Sequence, residues 1–188
     1  VVQEMIDGIS LELVEKRLVT DQLVLTVGYD IENLTRPEIR KVYKGPVTTD
    51  RYGRRVPKHA HGTWNLPHAT SSSSELLEAM AALYDKIVNP ALLIRRMSLS
   101  ACHVVNEKMA KEREQKETFE QLDLFTDYAK KEAKEKEEQK KRERERRMQE
   151  ALLTIKKKYG KNAVLRGMNF EEGATAKERN GQIGGHQA

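Results

Sequence analysis

DQLVLTVGY, residues 21–29, alternates. Side chains along an extended chain point to opposite sides in turn. Leu23, Leu25 and Val27 therefore share one face, and Val24, Thr26 and Gly28 share the other. A strand so divided covers a core on one side and needs neighbours divided the same way. LLIRRMSLSACHV, residues 92–104, is such a neighbour, with Met97, Leu99 and Ala101 on one face and Arg96, Ser98 and Ser100 on the other. Arg95 falls near the end of its core face, where a long stem can carry the guanidinium out to water. HGTWNLPHAT, residues 61–70, reads as a short third strand. Pro67 has no N–H to donate, so it confines that strand to an edge or ends it.

Helical spacing surrounds these strands. Val2, Met5, Ile6, Ile9 and Leu13 predict an amphipathic helix over residues 2–18. In SSSSE, Ser72 and Glu75 fit a capping box, which satisfies backbone N–H groups at a helix start. Leu76, Met80, Leu83, Tyr84 and Ile87 give that second helix its apolar stripe, and Asn89-Pro90 stops it. The order helix, strand, strand, helix, strand is that of an α+β fold: a small antiparallel sheet with two helices on one face. Its other face is left small, polar and basic. Residues 30–60 contain Pro37, Gly45, Pro46, Gly53 and Pro57 and read as a long loop.

Composition shifts near residue 105. The 188 residues are 38% hydrophobic, 34% charged and only 5% aromatic, too polar for one compact core along the full length. Residues 1–105 are read as the globular part and 106–128 as a linker. Residues 129–160 form a charged helix, with opposite charges four apart at Glu132–Lys136, Glu137–Lys141, Glu138–Arg142 and Glu143–Arg147. Met148, Leu152, Ile155 and Tyr159 form a short apolar stripe at its end, and Gly160 stops it. Residues 161–188 read as a glycine-rich, irregular tail. The chain opens on VVQEMIDGIS without Met and is read as a piece of a longer protein. Cys102 is the single cysteine, which excludes an intramolecular disulfide and suits a reducing cytoplasm. No apolar run approaches the roughly 20 residues that span a membrane.

A net charge of +5 favours a polyanionic partner without specifying one. The best basic cluster is TDRYGRRVPKHAHG, where Arg51, Arg54, Arg55 and Lys58 surround Tyr52 in a segment punctuated by glycine and proline. Such side chains neutralise phosphates, and a solvated loop is the plainer alternative. Arg96, standing on the open sheet face with Ser98 and Ser100, can meet a phosphate backbone or form an edge salt bridge. His59, His61, His68 and Cys102-His103 lack four-ligand zinc spacing. GQIGGH, residues 181–186, lacks the Lys-Ser/Thr ending of a phosphate-binding loop, and no paired carboxylates suggest acid–base chemistry.

Gln121, Leu122, Asp123, Leu124 and Phe125 (QLDLF) place three apolar side chains between two highly charged tracts. Read physically, this is a short docking peptide whose pocket lies on another protein. It resembles the bacterial sliding-clamp-binding motif Gln-Leu-Ser/Asp-Leu-Phe. SLELVEKRLVTDQLVLTVGYD, DRYGRRVPKHAHGTWNLP and LLIRRMSLSACHV resemble the C-terminal "little finger" domain of Y-family translesion DNA polymerases, of the UmuC-like type (ImpB/MucB/SamB group) found in Gram-positive bacteria. KNAVLRGMNFEEGATAKERNGQIGGH is similar to the tails of those proteins. The resemblance implies a β-α-β-β-α-β layer whose sheet lies on DNA, here with its first, edge strand missing. It implies primer–template DNA, a bacterial sliding clamp and the remainder of a polymerase as partners. Polymerase chemistry would use Mg held by palm residues that this chain lacks, so no cofactor is expected here.

Overall fold

The computed structural model describes residues 1–117, 128–183 and 186–187, and the side chains of residues 1–113 and 136–182. The fold is α+β, with a small antiparallel sheet, helices on one of its faces and a long C-terminal helix.

Helix α1 spans Val2–Lys16 and ends on Arg17, whose left-handed backbone (φ 54) turns the chain directly into strand β1, Leu18–Tyr29. The strand begins three residues before the alternating stretch. Two short helices follow, α2 (Glu32–Thr35) and α3 (Pro37–Val42), then a hairpin of β2 (Val47–Thr49) and β3 (Arg55–Pro57). The expected loop over 30–60 is thus corrected: most of it is built from elements three to six residues long, too short to leave a periodic signal. Asn33, fully buried, organises the segment. Its amide donates to the carbonyls of Asp30 (2.8 Å) and Leu93 (2.9 Å) and accepts from the Leu93 N–H (2.7 Å).

Strand β4 is Ala60–Thr70, helix α4 is Ser73–Ile87 and strand β5 is Ile94–Cys102. The sheet order is β4-β1-β5, with both pairings antiparallel. β4 is an edge strand, as Pro67 requires. Its pairing with β1 slips between Asn65 and Thr70, so that Pro67 sits where no ladder donor is needed. β5 carries a bulge: Gly28 faces Arg96 but Tyr29 faces Ile94, leaving Arg95 as the extra residue. Arg95 is exposed and its guanidinium lies 3.6 Å from the Asp30 carboxylate. A two-residue strand β6 (Val105–Asn106) then pairs with Leu18–Val19.

Leu23, Leu25 and Val27 are wholly buried against α1 and α4, beside Ile6, Leu76, Met80 and Leu83. Burying each such side chain contributes about 1.5–3 kcal/mol, so this single layer carries most of the stability of the fold. The outward row is Arg96, Ser98 and Ser100, all exposed, with Thr26 and His61 bonded across the strands at 2.9 Å.

Helix α5 is Glu107–Glu117 and α6 is Tyr128–Tyr159. The expected stripe on α6 is corrected. Met148, Ile155 and Tyr159 are exposed, while Gln149 is buried and Leu152, Leu153 and Lys156 are half-buried. The helix packs against α1 and, through polar side chains, against the start of α4. The remainder holds a 3-10 turn (Gly167–Phe170), helix α7 (Ala176–Arg179) and a pair of two-residue strands, β7 (Gln182–Ile183) and β8 (His186–Gln187). This segment is anchored on the buried Glu4 of α1, whose carboxylate accepts from the Asn169 amide (2.9 Å) and the N–H groups of Thr175 (3.0 Å) and Ala176 (3.1 Å). Burial pushes the Glu4 pKa up. Those donors outweigh it and leave the carboxyl below its ordinary value.

Candidate functional site

The β2–β3 hairpin carries the basic cluster. Its turn is fixed by Asp50. One carboxylate oxygen accepts the N–H groups of Tyr52 (2.8 Å) and Arg54 (3.0 Å), the pattern of a side chain that mimics a backbone turn. Gly53, at φ 76, takes the left-handed position that closes the turn. The other Asp50 oxygen accepts both the Nε (2.9 Å) and a terminal nitrogen (2.7 Å) of Arg54. That hydrogen bonding lowers the Asp50 pKa and raises that of Arg54. Tyr52 is 64% exposed, and the guanidinium carbons of Arg51 and Arg54 lie 4.7 and 5.0 Å from its ring centroid. Arg51 also donates to the Tyr52 hydroxyl at 2.5 Å.

The four loop cations therefore differ. Arg51, Arg55 and Lys58 are exposed, and among the described residues none has an ion pair. Arg54 is half-buried and joined to Asp50. The hairpin packs on α2 and β1, and Arg54 feels the charge of Asp30 at the end of β1. Arg96 sits opposite Gly28 near that same end. The structure thus brings the hairpin and Arg96 to one end of the sheet. Gln121, Leu122, Asp123, Leu124 and Phe125 lie outside the described residues.

A second polar site was not visible in the sequence. The SSSSE run does more than cap α4. Ser72 accepts from the Glu75 N–H at 3.3 Å, but the reciprocal half of a capping box is absent, because the Ser72 N–H donates to the Thr70 hydroxyl instead. Each residue of the run meets α6. Arg146 donates to the Ser71 hydroxyl (3.1 Å), and the Glu145 carboxylate accepts from the Ser72 hydroxyl (2.6 Å) and the Ser74 N–H (2.8 Å). Gln149 donates to the Ser73 hydroxyl (2.9 Å), and Arg142 donates to Glu75 (3.0 Å). Glu75 also bonds His68 at 3.0 Å. That bond, helped by Thr70 and Arg142 and opposed by burial, lowers its pKa to about 2. Only the position of Glu145 and Gln149, one turn apart on a helix, hinted at this partner, and a separation of 67 to 76 residues hid it.

Among the described residues no group of three or more His, Cys, Asp or Glu side chains is arranged to hold a metal ion. Among them, too, no helix is long and apolar enough to cross a membrane. Comparison with protein-family models, curated proteins and solved structures finds no match to this chain. What the fold and site define is an α+β domain with one open polar sheet face, a basic hairpin at one end of it and a charged helix docked at the start of α4.

Proposed function

We propose that this chain is the DNA-gripping and clamp-tethering C-terminal region of a cytoplasmic, Y-family translesion DNA polymerase acting in damage tolerance. The observation that carries the proposal is the placement of exposed Arg96 and the basic hairpin at one end of a sheet whose outer face is small and polar. Such a surface suits a phosphate backbone: it offers cations and hydroxyls, so binding would be largely independent of sequence and weaken with salt. The peptide Gln121–Phe125 supports the second half of the proposal by its sequence. Joining the two contacts raises effective concentration at a primer end without requiring either to be tight. Nucleotidyl transfer belongs to the rest of the polymerase.

Titration of the chain against a bacterial sliding clamp, beside a Leu124→Ala/Phe125→Ala variant, tests this. Saturable binding that the variant abolishes is expected. Binding that is absent or indifferent to the substitutions removes the tether. The alternative is then a non-catalytic scaffold with a small α+β head, which the broad polar docking of α6 on that head favours.

A further inference from the structure

The hairpin tip assigns its cations unequal jobs. We propose that Arg51, carried on the Tyr52 ring, is the phosphate ligand of the tip, and that Asp50 holds Arg54 out of that role. This rests on the DNA-binding reading above and names the residues that set its strength.

Both arginines lie over one tyrosine, yet their charges are in different states. Arg54 spends its Nε and one terminal nitrogen on a single Asp50 oxygen. A phosphate approaching it meets a neutral pair, and it must compete with a carboxylate already in place. The second Asp50 oxygen, bonded to two backbone N–H groups, keeps the carboxylate from swinging away. Arg51 has no carboxylate among the described residues. Among the described residues its one side-chain hydrogen bond goes to the Tyr52 hydroxyl. The ring and the hydroxyl hold the guanidinium in place while leaving its charge uncompensated. Holding it there reduces the rotamer freedom lost on binding, the usual gain from preorganisation. Tyr52 is thus a positioning residue, and Asp50 is a mask.

The mask can be lifted without breaking the turn. In Asp50→Asn the amide oxygen still accepts the Tyr52 and Arg54 N–H groups, while the charge that pairs with Arg54 is gone. The experiment is salt-dependent binding of a fluorescent primer–template duplex by the full chain, with circular dichroism confirming that each variant is folded. Arg51→Ala should weaken binding about five- to tenfold and reduce the slope of log affinity against log salt by about one. Asp50→Asn/Arg54→Ala, which removes the cation together with the carboxylate that neutralises it, should change affinity less than about twofold. Asp50→Asn should tighten binding and steepen the slope by about one, and Asp50→Asn/Arg54→Ala should cancel that gain. Tyr52→Phe should show a smaller loss than Tyr52→Ala, because it keeps the ring and removes only the hydroxyl. A loss in Asp50→Asn/Arg54→Ala equal to that in Arg51→Ala, or an Asp50→Asn gain that survives removal of Arg54, would overturn the assignment. No duplex binding by the unsubstituted chain would overturn the DNA-binding reading itself.

Discussion

Two of the contacts that hold this chain together are chemically opposite. Between the sheet and helices α1 and α4 lies an apolar layer in which Leu23, Leu25 and Val27 are wholly buried. Between the start of α4 and helix α6 lies a polar one, made of four serines, two carboxylates and two arginines around a buried glutamine, with Glu107 of α5 bonded at its side. An apolar layer draws its strength from area removed from water and is indifferent to salt and to moderate pH. A polar layer adds little per bond, because each group was already solvated, but leaving one member unpaired is costly. The sheet layer should therefore set global stability. The α6 contact should set a local stability that solution conditions can tune.

The largest effect is expected from the apolar layer. Leu25→Ala should destabilise the fold by about 2–5 kcal/mol in denaturant unfolding, through lost burial and the cavity left behind. A loss under about 1 kcal/mol would mean that the layer is not the core. Next comes acid. The Glu75 pKa is lowered from 4.5 to about 2 in the folded chain, so its contribution is fully present above pH 4.5 and is lost as pH falls towards 2. Stability should drop across that window by on the order of 2–3 kcal/mol, and Glu75→Gln should flatten that limb of the profile. A profile unchanged by the substitution would remove Glu75 from the contact.

Gln149→Ala probes the polar layer alone. It leaves the Ser71 carbonyl and the Ser73 hydroxyl without their α6 donor. Amides of α6 should then exchange faster by the equivalent of about 1–3 kcal/mol while β1 amides keep their protection. Equal loss in both would show one cooperative unit rather than two. The gentlest test is ionic strength. Raising salt to ~0.5 M should speed exchange in α6 measurably and leave β1 unchanged, because the Arg142–Glu75 and Arg146–Glu107 pairs are partly open to solvent.

The same contrast explains what could be read from sequence. The apolar layer was legible because Leu23, Leu25 and Val27 repeat at a strand's period, and because Leu76, Met80 and Leu83 repeat at a helix's. The open face followed from the same alternation, so Arg96, Ser98 and Ser100 were placed correctly. The polar contacts were not legible, since a serine or glutamine carries no mark of the distant residue it will bond. SSSSE explained itself as a cap, and its second role had to wait for the structure. The stripe of Met148, Ile155 and Tyr159 misled for a related reason. Apolar spacing predicts burial only where a surface comes to meet it, and α6 turns Gln149 and Glu145 to the domain instead. Glu4, the anchor of the C-terminal segment, looked like an ordinary charge on the first turn of α1. At the candidate site, spacing found the cations, but the division between Arg51 and Arg54 depends on which of them reaches Asp50.

The most direct measurement is the affinity of the full chain for primer–template duplex with and without a sliding clamp loaded on it. If a DNA surface and a clamp peptide work together, the loaded duplex should be bound at least about tenfold more tightly, and Leu124→Ala/Phe125→Ala should return the affinity to that of bare duplex. Equal affinity for loaded and bare duplex, or an enhancement that survives the double substitution, would contradict a tethered DNA-binding region.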